Sequence, residues 1–217
     1  MRKRVLNDTR GKMARARHKQ PETLPRNWPI AGLAAVGLVV AGYLAVTKLG
    51  GDSPLFCTAG GGCDIVQGSR YAVFFGLPTA LWGAGLYAAI GGLALVGLDA
   101  ERWLATFLLA VAGVSFSAYL TYLELFELRA VCAYCVVSAV IAVAIFGVLL
   151  MQRPAGSGRR FPARKSRVMT LGTITAVATV LIGAGYFATG SPHAAAAQEA
   201  LARHLAKSGA KMYGAYW

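Results

Sequence analysis

Five stretches of the chain are apolar and uncharged: Asn27–Thr47, Tyr71–Leu98, Trp103–Leu123, Ala130–Gln152 and Val168–Pro192. Each reaches the ~20 residues that a helix needs to cross a hydrocarbon core of ~30 Å. One such run fits a buried helix of a soluble protein; five predict an all-α integral membrane protein with five transmembrane helices. The second stretch, at 28 residues, is longer than one crossing requires. Within it, Pro78 in "FFGLPTALWG" suits the first position of a helix, where a missing N–H costs nothing. The crossing is therefore predicted to run Pro78–Leu98. Asp64–Leu77 is then expected to lie along the membrane surface as a short cover, with Tyr71, Phe74 and Phe75 dipping inward.

The Lys/Arg bias of the short flanking segments orients the spans. Residues 1–26 carry nine Lys/Arg and residues 153–167 carry six. With five spans these segments share one side, so both place the N-terminus in the cytoplasm and the C-terminus outside. The first run is long and no Ala-x-Ala pattern follows it, so it is expected to stay as a span rather than be cleaved as a signal peptide.

Composition agrees. Of 217 residues, 56% are hydrophobic and 14% are charged, against about 25% charged in soluble domains. The net charge of +13 raises nucleic-acid binding as a candidate. The basic residues lie outside the apolar runs and form no amphipathic face interleaved with aromatics, so a nucleic-acid partner is not expected.

The expected topology puts all four cysteines on the oxidising side, where disulfide chemistry is possible. Cys57 and Cys63 fall in the outer loop between the first two spans, and Cys132 and Cys135 at the outer end of the fourth. The latter two form a Cys-x-x-Cys on one helical face. They sit at a helix N-terminus, where the dipole and free N–H groups favour a thiolate. Such a pair can attack a disulfide or a quinone carbon and then resolve the adduct; a disulfide clamping the helix start is the other reading. A c-type haem site would need His after the second cysteine, where Val136 stands. In "FCTAGGGCD", Gly60, Gly61 and Gly62 let the chain bend tightly enough to close a small ring. Closing it stabilises the fold by only roughly 2 kcal/mol in the chain-entropy model. That suits a bond that opens and re-forms to shuttle electrons, although a purely structural loop disulfide is also open. A zinc site of four thiolates is not expected: the loop arm is wide for zinc, and His18, His193 and His204 lie elsewhere.

A lipid-soluble oxidant could reach Cys132 and Cys135 from within the bilayer, and a quinone fits, since it takes two electrons with two protons. Aromatic residues expected near the outer surface (Phe56, Tyr71, Phe74, Phe75, Tyr119, Tyr122 and Tyr134) are available to wall its pocket. Phe75, Tyr119 and Tyr122 are the candidate contacts. Interfacial aromatic belts are common in membrane proteins generally.

The stretches "CTAGGGCDIVQGSRYAVFFGLPTALWG" and "AYLTYLELFELRAVCAYC" together resemble the vitamin K epoxide reductase family in its bacterial branch, over spans one to four. The resemblance implies a four-helix bundle around a quinone, menaquinone or ubiquinone, within residues 27–152. A fifth helix (168–192), reached through a basic cytoplasmic link (153–167), leads in many bacterial members to a thioredoxin-like domain outside. It implies that Cys135 reacts with the quinone, Cys132 exchanges with the loop pair, Cys63 pairs with Cys132, and Cys57 meets a partner's redox cysteine. Ser69 matches a Ser/Thr expected to support the site by hydrogen bonding, with helix capping as an equal reading. Arg70 follows it as in many relatives and reads as a surface anchor. Animal enzymes that reduce the epoxide carry Asn and Tyr where Ala72 and Ala139 stand here, which favours simple quinone reduction. In residues 193–217, "AAAAQEALARHLAKSG" reads as a short helix and "AKMYGAYW" as a strand, like the start of a thioredoxin-like domain. A thioredoxin-like partner is therefore implied, as a continuation of the chain or as a separate protein.

The expected function is that of a quinone-dependent thiol–disulfide oxidoreductase in the bacterial plasma membrane, with its site outside, serving disulfide formation in exported proteins. Reduction of vitamin K epoxide or quinone with thiols as donor, and a non-catalytic membrane anchor with structural disulfides, are the alternatives. Transport is disfavoured because the five uncharged stretches lack the intramembrane charge that marks many transport paths.

Overall fold

The computed structural model describes residues 26–51, 54–55, 57, 61–152, 165–189 and 204. The expected basic N-terminus (1–26), link (153–167) and tail (193–217) fall almost wholly outside the described residues, as does Phe56.

Five long helices carry the fold: α1 (Trp28–Gly50), α3 (Thr79–Val96), α4 (Ala100–Phe126), α5 (Ala133–Met151) and α6 (Lys165–Thr189). All five are long and apolar enough to cross a membrane. A short helix, α2 (Gly62–Gly68), and a two-stranded hairpin, β1 (Val73–Phe74) with β2 (Leu77–Pro78), link α1 to α3. Local signals fix the ends. Asn27 Oδ1 accepts the Ile30 N–H at 3.4 Å and Asp99 Oδ1 accepts the Arg102 N–H at 2.8 Å, each satisfying an orphan donor of a first turn. Gly51 closes α1 in the left-handed region at φ 76°, with its N–H on the Thr47 carbonyl.

Helix α1 packs on α3 and α5, and α4 packs on α3 and α5, which closes a four-helix ring. Helix α6 lies outside this ring against α4. The core of the ring holds Ile30, Tyr87, Ile90, Trp103, Phe107, Ile145 and Leu149. Val39, Val46, Val140, Val143, Ile174 and Leu181 are exposed on the outside, the surface expected of helices solvated by lipid. Tyr87 crosses the ring from α3, with its hydroxyl donating to the Ser138 carbonyl on α5 at 2.7 Å. Its ring runs past Gly37 of α1, where an added Cβ would lie 2.6 Å from it.

One sequence expectation needs correction here. Pro78 does not open its helix. It pairs with Val73 across the hairpin and stays extended, at φ −53° and ψ 131°, so the helix begins at Thr79. Phe75 is set apart from Tyr71 and Phe74 by the hairpin turn. Phe75 and Gly76 form the two-residue hairpin turn, both at positive φ (51° and 78°), and Phe75 is 59% exposed. Tyr71 is buried and Phe74 half-buried within the protein.

Gly37→Ala pushes a methyl into a ring that cannot swing without releasing Ser138. The expected result is a loss of about 1–2 kcal/mol of stability from overpacking, read as earlier unfolding in detergent, with Tyr87→Leu relieving it.

Candidate thiol relay site

The four cysteines gather at one end of the ring. Cys57 and Cys63 are joined in a disulfide, whereas Cys132 and Cys135 are free thiols. Cys63 sits in the first turn of α2, and Cys132 is the N-cap of α5, fully buried. Their sulfurs lie 3.8 Å apart. Cys63, Val66, Ala130 and Cys132 form a small apolar cluster of their own, with Cys57 and Cys135 packed against it.

The short approach has a visible cause. Helix α2 begins at Gly62 directly against the backbone of Val131, so that an added Cβ would stand 2.6 Å from the Val131 carbonyl oxygen. Only glycine lets the two backbones meet this closely. The other end of α2 is tied to α1, where Lys48 Nζ donates to the Gln67 carbonyl. Two tyrosines hold the loop ahead of Cys57. Tyr43 OH accepts the Leu55 N–H at 2.7 Å, and Tyr134 OH donates to the Leu55 carbonyl at 2.6 Å. Tyr134 lies inside the Cys-x-x-Cys itself, so the helix pair grips the loop that carries its disulfide partner.

The electrostatics favour a reactive Cys132. The Cys135 thiol, donating to Cys132 Sγ, holds the Cys132 thiol down to about 7, against burial that pushes it up. The N–H groups of Cys135 and Tyr134, free at the start of α5, add to this, and the Glu124 carboxylate opposes it.

On its other side, Cys135 faces a half-open cavity of about 360 Å³ lined by the ring, the hairpin cover and α6. That is within the roughly 300–1,000 Å³ of small-molecule sites. Its wall is largely apolar, with Leu44, Tyr71, Phe74, Trp82, Leu86, Tyr87, Phe116 and Ile182 alongside a few polar groups, among them Thr121, Glu124 and Ser138. A flat, apolar ring with two carbonyl oxygens matches such a lining. Ala72 is part of the wall, and Ala139 is not.

The candidate residues divide. Cys57, Cys63, Cys132 and Cys135 come together. Ser69 stands apart from the sulfurs: its hydroxyl donates to the Val66 carbonyl at 2.7 Å, where α2 ends. It occupies the cap position before the turn Arg70–Ala72 without making a capping bond. Arg70 lies over the Tyr71 ring and pairs loosely with Glu127 at 3.9 Å, at the surface. Phe75, Tyr119 and Tyr122 do not line the cavity. Phe75 is held outward by its turn, Tyr122 is 57% exposed beside Phe126, and Tyr119 stacks on Phe187 of α6. Tyr71, Phe74, Trp82, Tyr87 and Phe116 supply the aromatic wall instead. One residue had no place in the sequence reading: Glu124, buried to 4% exposure, whose Oε2 accepts the Cys132 N–H at 3.2 Å. Its signal was a carboxylate eight residues ahead of Cys132, hidden because the apolar run was ended at Leu123 whereas α4 continues to Phe126.

Two outcomes follow from this geometry. Ultraviolet thiolate absorbance of the protein with its loop disulfide intact is expected to rise with pH through a midpoint near 7, not the ordinary ~8.5 of a thiol. Below that midpoint Cys132 is protonated and exchange with Cys63 slows; Cys135→Ala moves the midpoint upward. Separately, a Cys57→Ala protein should accumulate a Cys63–Cys132 disulfide, measurable on non-reducing peptide maps. Adding Gly62→Ala should lower that species by roughly tenfold, since 1.4 kcal/mol of lost approach is enough.

Comparison with known proteins agrees with the geometry. The model of the vitamin K epoxide reductase family matches residues 28–150, which span α1 to α5 and all four cysteines. The chain belongs to the vitamin K epoxide reductase family, and is accordingly a membrane thiol oxidoreductase.

Proposed function

We propose that the protein oxidises a reduced thioredoxin-like partner at the outer face of a bacterial plasma membrane and passes the electrons to a quinone, menaquinone or ubiquinone. The observation that carries this reading is the position of Cys132, 3.8 Å from a disulfide sulfur, while its neighbour Cys135 lines the cavity. A structural staple would have no use for two free thiols between a disulfide and a cavity.

The sulfurs act in series. A partner thiolate attacks Cys57, the disulfide member nearer the loop, and Cys63 leaves as a thiolate. Cys63 then attacks Cys132 when Cys132 and Cys135 are oxidised, closing from 3.8 Å to a bond of about 2 Å. Cys135 leaves toward the cavity. The partner's second thiolate attacks its own sulfur in the mixed disulfide, which releases the oxidised partner and frees Cys57 as a thiolate. Attack of Cys57 on Cys63 then restores the loop disulfide and leaves the helix pair reduced, each exchange being reversible. A quinone in the cavity would supply a two-electron, two-proton sink. Cys135 is the sulfur placed to face it, and the wall of Tyr71, Phe74, Trp82 and Phe116 would hold its ring while keeping bulk water away from the thiol. Ala72 offers that wall no side-chain hydrogen bond, which favours quinone over epoxide as the acceptor.

Single replacement of Cys57, Cys63, Cys132 or Cys135 by Ser should each lower quinone reduction by a reduced thioredoxin-like protein roughly 1,000-fold or more. With small dithiols as donor, Cys132→Ser and Cys135→Ser should stay inactive whereas Cys57→Ser recovers in part. Undiminished turnover by Cys135→Ser would refute the sequence of transfers.

A further inference from the structure

Glu124 is a buried acid that the relay above does not use. It is 4% exposed, its carboxylate accepts the Cys132 N–H, and it interacts with the Cys135 side chain. It also forms part of the cavity wall beside Cys135. Among the described residues no cation pairs with it: Arg70 reaches Glu127 and Arg102 reaches Asp99. A buried carboxylate without a counter-charge is costly unless hydrogen bonds satisfy it, and beside it stands a thiol whose proton is present only while the helix pair is reduced.

We propose that Glu124 is the proton store of the Cys132–Cys135 pair: it takes the Cys135 proton when the pair is oxidised and returns it when the pair is reduced again. This deepens the function proposed above and rests on the same two cysteines. The reduced site holds a Cys132 thiolate, a Cys135 thiol and a Glu124 carboxylate. Oxidation forms the S–S bond and releases two electrons to the acceptor, and the only thiol proton moves to Glu124. The site thus goes from two negative charges to none as two electrons leave. A quinone acceptor completes its own reduction with two protons from water. On re-reduction, the Cys63 thiolate attacks Cys132, the S–S electron pair stays on Cys135, and Glu124 protonates that sulfur. The buried carboxylate therefore never stands beside a bare Cys135 thiolate.

The test is an infrared redox-difference spectrum of the full chain in quinone-free detergent, taken between the dithiol and disulfide states of the helix pair. The carbonyl band of a protonated carboxylic acid should grow on oxidation, shift on isotopic labelling of glutamate carboxyls, and be missing in Glu124→Gln. The amide oxygen of that variant still accepts the Cys132 N–H, so the fold is kept; if it fails to accumulate, the labelled wild type gives the assignment. In single turnover, Glu124→Gln should reduce quinone about 100-fold more slowly, with Glu124→Asp in between. A wild type without the band, or a Glu124→Gln protein with the band and full rate, overturns the inference. A wild type that shows the Glu124 band yet passes no electrons to quinone leaves the inference standing and removes the quinone reading instead.

Discussion

The structure depends on one close approach, that of Cys63 to Cys132. Two sulfurs from different parts of the chain, 69 residues apart, stand 3.8 Å from each other because a glycine start to α2 lets its backbone rest on Val131. Everything else serves that contact. Lys48 holds the far end of α2, and Tyr43 with Tyr134 grips the Leu55 backbone ahead of Cys57. The reacting sulfurs are therefore held near the ~3–3.5 Å separation from which bond formation proceeds without prior reorganisation.

The second constraint is solvent. The ring of α1, α3, α4 and α5 is apolar inside and out, so its few polar groups are satisfied internally: Tyr87 on Ser138, Trp103 on the Leu149 carbonyl, Thr106 on the Arg102 carbonyl. Among the described residues no buried side-chain polar atom lacks a partner. Against that background, a carboxylate in contact with both members of a Cys-x-x-Cys is a feature of the chemistry rather than of packing. The cover Tyr71–Pro78 and the end of α6 join through one aromatic cluster, in which Tyr71, Phe74, Phe116 and Phe187 meet.

The five spans and the cysteine pairing were legible because hydropathy over ~20 residues and cysteine spacing are one-dimensional signals. What the sequence hid was three-dimensional. Phe75 looked like a wall residue by composition, yet a two-residue turn with positive φ at Phe75 and Gly76 aims it outward. Tyr119 and Tyr122 share the last third of α4 with cavity residues, but helical rotation turns one toward α6 and leaves the other exposed. Glu124 escaped because a charge next to an apolar run reads as its boundary, whereas the following loop folds back to bury it, with the Ala130 N–H reaching the Glu124 carbonyl at 3.0 Å.

The most direct measurement is to mix the oxidised protein with one equivalent of a reduced thioredoxin-like donor, quench with acid at intervals, and map the disulfides that link the loop pair to the helix pair. Cys63–Cys132 should be the inter-pair bond that rises and decays at the rate of electron transfer. A transient Cys57–Cys132 or Cys63–Cys135 bond in its place, or transfer with no inter-pair bond at all, would contradict the account.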